Sequence, residues 1–282
     1  MLYIPPARYG AAVRTVPSLR VEGRYFADGC EAVAGMDEVG RGSWAGPVSI
    51  GIAVVTPGSG RRIPKGVRDS KQLLRSERER LFAPLGRSLA AWAVGHASNE
   101  ECDELGMTVA QRLAAKRALD QLEVRPDVVL LDGRFDFLAD KVAGVSDFPP
   151  VRLIVKGDAS AKSISAASVL AKVTRDRLMA REAEHYPWYG FESNCGYPSP
   201  AHKMALASWG CTPFHRRSWA FVAGLQYHPP GWEELLARRG LLREPEDALG
   251  DDVAHDLVGA AGDAHAGDAE EVARPRVGAP LA

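Results

Sequence analysis

The stretch AGMDEVGRGSWAGPVSIGIAVV, residues 34–55, decides how the rest of the chain is read. Asp37 and Glu38 follow the short apolar segment Ala32–Met36 and stand directly before Gly40-Arg41-Gly42. After Gly46 and Pro47, the residues Val48, Ile50, Ile52 and Val54 alternate with smaller ones, which is the period-two pattern of a strand. A glycine-rich dinucleotide loop would lead into a helix. Here a proline and a β-branched run lead into a strand, so that reading is excluded. A glycine pair instead lets backbone approach a ligand closely, because no Cβ intervenes.

Outward from this stretch the chain alternates strands and helices. Ser76 and Glu79 have capping-box spacing ahead of a helix reaching Arg87, and Ser98 and Glu101 repeat it before one long helix ending near Leu122. Strands are expected at Leu89–Gly95, Asp127–Leu131 and Val151–Val155, and a helix from about Ser160 to Glu184. This order predicts an α/β fold with a mixed sheet flanked by helices. Residues 1–28 read as an irregular extension, 29–243 as the folded domain, and 244–282 as a disordered tail too poor in apolar side chains to offset ordering.

Four carboxylates fall at or just past the ends of predicted strands: Asp37 and Glu38, then Asp132 before Gly133, then Asp158 after Lys156-Gly157. Each alone has an ordinary explanation, as turn chemistry, a helix cap or a solvated pair. Together they would raise one another's pKa unless cations lay between them. Hard oxygen ligands suit Mg²⁺ or Mn²⁺.

The net charge of −1 hides an asymmetry. Residues 244–282 hold ten acidic and two basic side chains, while the other 243 residues carry 33 Lys and Arg against 26 Asp and Glu. A basic body suits a polyanion. Cys30, Cys102, Cys195 and Cys211 form no CxxC pair, which argues against zinc and for reduced, structural thiols. The proline-bearing start and the lack of a long apolar run predict a cytoplasmic protein without membrane contact.

Six ordered segments between Val33 and Leu225 carry a family resemblance: AGMDEVGRGSWAGPV, VRDSKQL, VVLLDG, IVKGDASAKSISAASVLAKVTRDR, GYPSPAHKMAL and HRRSW. They resemble ribonuclease HII. The resemblance implies a ribonuclease H-like fold with a helical C-terminal part. It implies catalytic and metal-binding roles for Asp37, Glu38, Asp132 and Asp158, with Asp158 helping to hold a second ion. It places Gly40, Arg41 and Gly42 at the ribonucleotide 2′-hydroxyl and Tyr197 against the neighbouring deoxyribose. Asp69, Ser70 and Lys71 fall near the phosphates of the DNA strand. The implied substrates are RNA–DNA hybrids and duplex DNA containing single ribonucleotides, cut on the 5′ side; separately, the chain is expected to be a monomer. Ser43-Trp44, Gly106 and Lys162 depart from the common pattern. Rival readings are a non-catalytic nucleic-acid-binding module and a small-molecule phosphohydrolase.

Other residues are read structurally. Ser165–Ser168 suit tight helix–sheet packing, and Lys172 pairs with a structural Asp176 along one helix face. Trp188 and Phe191 are expected to face the core, and His215-Arg216-Arg217 to form a packed turn with some phosphate contact. Lys156 fits a phosphate contact or a solvated strand end equally. His185, His202, His215 and His228 lack metal-ligand spacing.

Overall fold

The computed structural model describes residues 16–139 and 147–225. Five strands, β1 (Val33–Val39), β2 (Val48–Val55), β3 (Ala91–Ala97), β4 (Val128–Asp132) and β5 (Val151–Ile154), form one sheet in the order β3-β2-β1-β4-β5. The pairs β1–β2 and β2–β3 are antiparallel, while β1–β4 and β4–β5 are parallel. The mixed sheet is therefore the one expected from the alternation of elements. Around it lie α1 (Arg20–Ala27), α2 (Arg75–Ser88), α3 (Asn99–Leu105), α4 (Met107–Asp120), α5 (Gly157–Ser160), α6 (Lys162–His185), α7 (Phe191–Asn194) and α8 (Pro200–Trp209).

All eight residues of β2 are buried, because the sheet is covered on both faces. Met36, Ile50, Ile52 and Leu131 pack with Ala110, Ala114 and Ala118 of α4. On the other face Val33, Val55 and Leu130 meet Ile164, Ala167 and Leu170 of α6 and Leu81 and Leu85 of α2. Fully burying a side chain such as Leu170 contributes roughly 1.5–3 kcal/mol. Glycines set how near the helices come. A Cβ at Gly51 would lie 2.5 Å from the Ala167 carbonyl oxygen, and one at Gly95 would lie 2.0 Å from that of Ala114. The small residues 165–168 of α6 thus serve close packing on the sheet, as expected. A third apolar cluster, with Met179, Tyr189, Phe191, Leu206 and Val222, forms the helical C-terminal part.

Several boundaries differ from the sequence reading. Residues 20–27, assigned to an irregular extension, form α1, whose Glu22 is buried against α6. Helix α2 starts at Arg75, and Glu77 rather than Glu79 reaches back, accepting the Leu74 N–H at 2.8 Å. Glu79 instead pairs with Arg177 at 2.5 Å. The Ser98–Glu101 capping box is present. The helix after it is broken at Gly106, whose φ of +80° ends α3 and starts α4. Trp188 is 66% exposed, because the turn opened by Pro187 points Tyr189 inward in its place. The tail at 244–282 and His228 lie outside the described residues.

Candidate active site

Strands β1 and β4 are parallel neighbours, so their C-terminal ends meet. Val33 pairs with Val128 and Met36 with Leu131, which brings Asp37 and Asp132 to the same edge of the sheet. Asp132 pairs with Ile154 of β5, and the chain then turns through Gly157 into α5, carrying Asp158 to that edge. Asp37, Glu38, Asp132, Gly40, Arg41, Gly42, Ser70, Lys71 and Tyr197 all line one cleft of about 500 Å³, along with Lys172 and Phe135. Asp158 does not line the cleft, although its charge acts on Asp37.

The carboxylates repel one another. Burial, joined by Asp132 and Asp158 and opposed by Ser168, pushes the Asp37 carboxyl up to about 7. Glu38 is raised by burial and by Asp132, against the pull of Arg41, whose guanidinium lies 3.6 Å away. Asp158 is raised by burial and then by Asp132. Burial pulls Lys71 down, but Asp37, Asp69, Asp158 and Asp132 together leave it above its ordinary value. Among the described residues no group of three or more His, Cys, Asp or Glu is already gathered as a metal cage. Their oxygens instead meet protein donors. Asp37 Oδ1 accepts the Glu38 N–H at 2.8 Å, Asp132 Oδ1 accepts the Gly157 N–H at 2.7 Å, and Glu38 Oε2 accepts from Gln111. An all-oxygen set of mutually repelling carboxylates is the donor chemistry that hard divalent cations take.

The glycine-arginine-glycine loop is held from inside. The Arg216 guanidinium is fully buried and donates to the carbonyls of Gly40 (2.5 Å), Arg41 (2.7 Å) and Gly46 (3.1 Å). Arg175, equally buried, donates to the carbonyls of Pro47 and Ala45 and to Ser43 Oγ. Burial lowers both arginines, Arg216 to about 10, which leaves Arg216 charged at neutral pH. Gly40 is at φ +82°, and a Cβ there would sit 2.2 Å from Arg175 Nε. At Gly42 a Cβ would meet no protein atom within 4 Å. The fold thus requires glycine at 40 and leaves 42 facing open space.

Tyr197 is tied to this loop, its hydroxyl accepting the Gly40 N–H at 3.1 Å. Its carbonyl accepts from His202 Nδ1 at 2.9 Å, and His202 Nε2 lies 2.9 Å from His215 Nε2. Thr212 N–H donates to His215 Nδ1, so the chain of bonds runs from Thr212 through both neutral rings to Tyr197. Ser70 is buried and bonded to Ser168, which fixes the element carrying Lys71. Lys172 and Asp176 pair at 2.7 Å, as expected.

The sequence reading missed Arg175, Arg216 and Gln111 as supports of the site. The expected phosphate contact for His215-Arg216-Arg217 is corrected at its first two members, which are fully buried and bonded within the protein. A signal for Arg175 existed, since Ile164, Ser168, Ala171, Arg175 and Met179 follow helical spacing and are all buried. Ser43, a departure from the family pattern, is a buried brace of the loop, and Trp44 stacks on Phe221 at 4.3 Å.

Comparison with known proteins places the fold and the family. The family model described as Ribonuclease HII matches residues 34–222. A ribonuclease HII of Streptomyces avermitilis is 46% identical over 79% of this chain and 92% of its own. The crystal structure of ribonuclease H2 from Pyrococcus horikoshii has a TM-score of 0.59 at 33% identity, covering 68% of this chain and 96% of that one. A Bst-RNase HIII structure in complex with Mn²⁺ shares the fold, with a TM-score of 0.53 at 19% identity over 73% of this chain and 70% of that one. Sheet, cleft and relatives define a ribonuclease H-class hydrolase. The chain belongs to the ribonuclease HII family.

Proposed function

We propose that this enzyme hydrolyses the RNA strand of RNA–DNA hybrids and nicks duplex DNA 5′ to a single embedded ribonucleotide. The reading is carried by one juxtaposition: repelling carboxylates share a cleft with a loop whose Gly42 faces open space and with Tyr197 latched to that loop. Asp37, Glu38, Asp132 and Asp158 would hold Mg²⁺ or Mn²⁺. Bound divalent cations would stabilise the charge on the attacking and leaving oxygens of the phosphodiester. Water adds to phosphorus as the bond to the upstream O3′ breaks, leaving 3′-hydroxyl and 5′-phosphate ends.

The remaining residues select and orient. Backbone at Gly40–Gly42 approaches the 2′-hydroxyl, the group that distinguishes RNA from DNA. The Tyr197 ring packs on the sugar adjoining the ribonucleotide, which is a deoxyribose where a single ribonucleotide is embedded in DNA. Arg41 stands at the mouth of the loop, and Ser70 and Lys71 face the phosphates of the DNA strand. We place the enzyme in the cytoplasm as a monomer; no helix among the described residues is long and apolar enough to cross a membrane.

The test is a duplex with one ribonucleotide beside an all-DNA duplex, incubated with Mg²⁺ or Mn²⁺. Cleavage 5′ to the ribonucleotide, lost with EDTA and absent from the control, is expected. Binding without cleavage under either ion, or hydrolysis of a phosphomonoester in place of the duplex, would overturn the reading.

A further inference from the structure

Helix α6 begins at Lys162 behind Ala161, which has no side-chain oxygen to cap it. Uncapped first-turn N–H groups are costly when buried. The missing acceptor comes from another part of the chain. Glu22 of α1, fully buried, accepts from both the N–H and the hydroxyl of Ser163 at 2.7 Å each through Oε1. Burial raises its carboxyl against the pull of these two donors, and its Oε2 has no hydrogen-bond partner. A carboxylate in such a place is retained at a cost, which asks for a role beyond filling space.

The same segment grips the turn before α6. The Ser18 N–H donates to the Ser160 carbonyl at 3.1 Å, and the Lys162 N–H donates to the Ser18 carbonyl at 3.3 Å, a parallel bridge onto Ala161. From the opposite side Asp132 Oδ1 holds the Gly157 N–H, and Ser165 Oγ donates to the Asp158 carbonyl at 2.8 Å. Beneath, a Cβ at Gly35 would lie 2.1 Å from the Ser163 carbonyl carbon, so the start of α6 is pressed onto β1 two residues before Asp37. The turn carrying Asp158 is thus clamped between the sheet and residues 18–22, which precede the matched segment 34–222.

We propose that Glu22 is a positioning residue for Asp158, setting through Ser163 the place of that carboxylate beside Asp132 and Asp37. The proposal rests on the ligand role given to Asp158 above. Its test uses the full chain, titrated with Mn²⁺ alone and followed by calorimetry, as wild type, Glu22→Ala, Glu22→Gln and Asp158→Asn. Steady-state kcat and KM on the ribonucleotide-containing duplex are measured beside it. Glu22→Ala is expected to weaken Mn²⁺ binding about tenfold and to lower kcat by a similar factor with KM little changed. Glu22→Gln, which keeps an acceptor for Ser163, recovers most of both. In the Asp158→Asn background Glu22→Ala adds nothing further to Mn²⁺ binding. Wild-type Mn²⁺ binding and kcat in a folded Glu22→Ala, while Asp158→Asn changes both, would overturn the proposal and leave Glu22 a stabilising cap. If Asp158→Asn itself changes neither, the failure is that of the ligand role. Should Glu22→Ala not fold, Ser163→Ala removes only the hydroxyl half of the clamp, and a twofold or larger loss, by order of magnitude, is expected in Mn²⁺ binding; no loss would overturn the proposal.

Discussion

At one wall of the cleft Asp37, Glu38 and Asp132 crowd negative charge that the protein only partly compensates; behind another, formed by the loop at Gly40–Gly42, Arg175 and Arg216 bury positive charge with each guanidinium bonded to carbonyls of residues 40–47. Burial works on both walls but ends differently. The Asp37 and Glu38 carboxyls are raised toward neutrality, while Arg216 stays charged and both arginines rigidify the loop through their bonds to its carbonyls. A wall whose repulsion is left standing is built for something from outside. A wall whose charges are satisfied internally is a scaffold. Substitutions should therefore have opposite signs on stability at the two walls.

The largest loss is expected on the scaffold. Arg216→Met takes a donor from three loop carbonyls, of which that of Gly40 keeps another from Ser43 Oγ, and should destabilise the fold by about 3 kcal/mol or more, read from urea midpoints. Asp37→Asn should do the reverse, stabilising the metal-free protein at pH 8 by about 1–2 kcal/mol while abolishing cleavage. An Asp37→Asn protein less stable than wild type would remove the contrast.

A pH series sharpens it. His215 is held down to about 3 by burial and His202, so the unfolded chain takes up a proton that the folded one refuses. That stability is complete above about 6.5 and is lost as pH falls toward about 3. Asp37, raised from 3.8 to about 7, acts oppositely and adds stability as pH falls through that window. Between pH 8 and 5 Asp37→Asn should therefore lose stability more steeply than wild type. Equal slopes in chemical denaturation would contradict the assignment.

Tyr197→Phe deletes the acceptor of the Gly40 N–H. It should cost about 1 kcal/mol and raise KM several-fold with a smaller change in kcat. At the small end, Arg125→Ala breaks an exposed pair with Asp147 far from either wall and should shift stability by less than about 1 kcal/mol, with kcat and KM unchanged.

Much of this arrangement was legible in the chain. The strand alternation of Val48–Val54 and the carboxylates at strand ends depend on local pattern, which sequence displays directly. Helix breaks and caps were less so. Gly106 reads like any helix-interior glycine until its φ is known, and Leu74 offers no capping oxygen to flag the start of α2. The supports were least visible, because Arg216 and Arg41 are 175 residues apart and Glu22 and Ser163 are 141 apart. Contacts at such separation are made by the tertiary fold, and an arginine in HRRSW looks like a surface cation.

The central claim, that the carboxylate wall performs the chemistry and the scaffold wall does not, is tested most directly by Asp132→Asn on a duplex with one ribonucleotide. Cleavage with Mg²⁺ or Mn²⁺ should disappear while binding to the same duplex, measured in EDTA, matches wild type. Metal-dependent turnover that survives in Asp132→Asn would contradict the account.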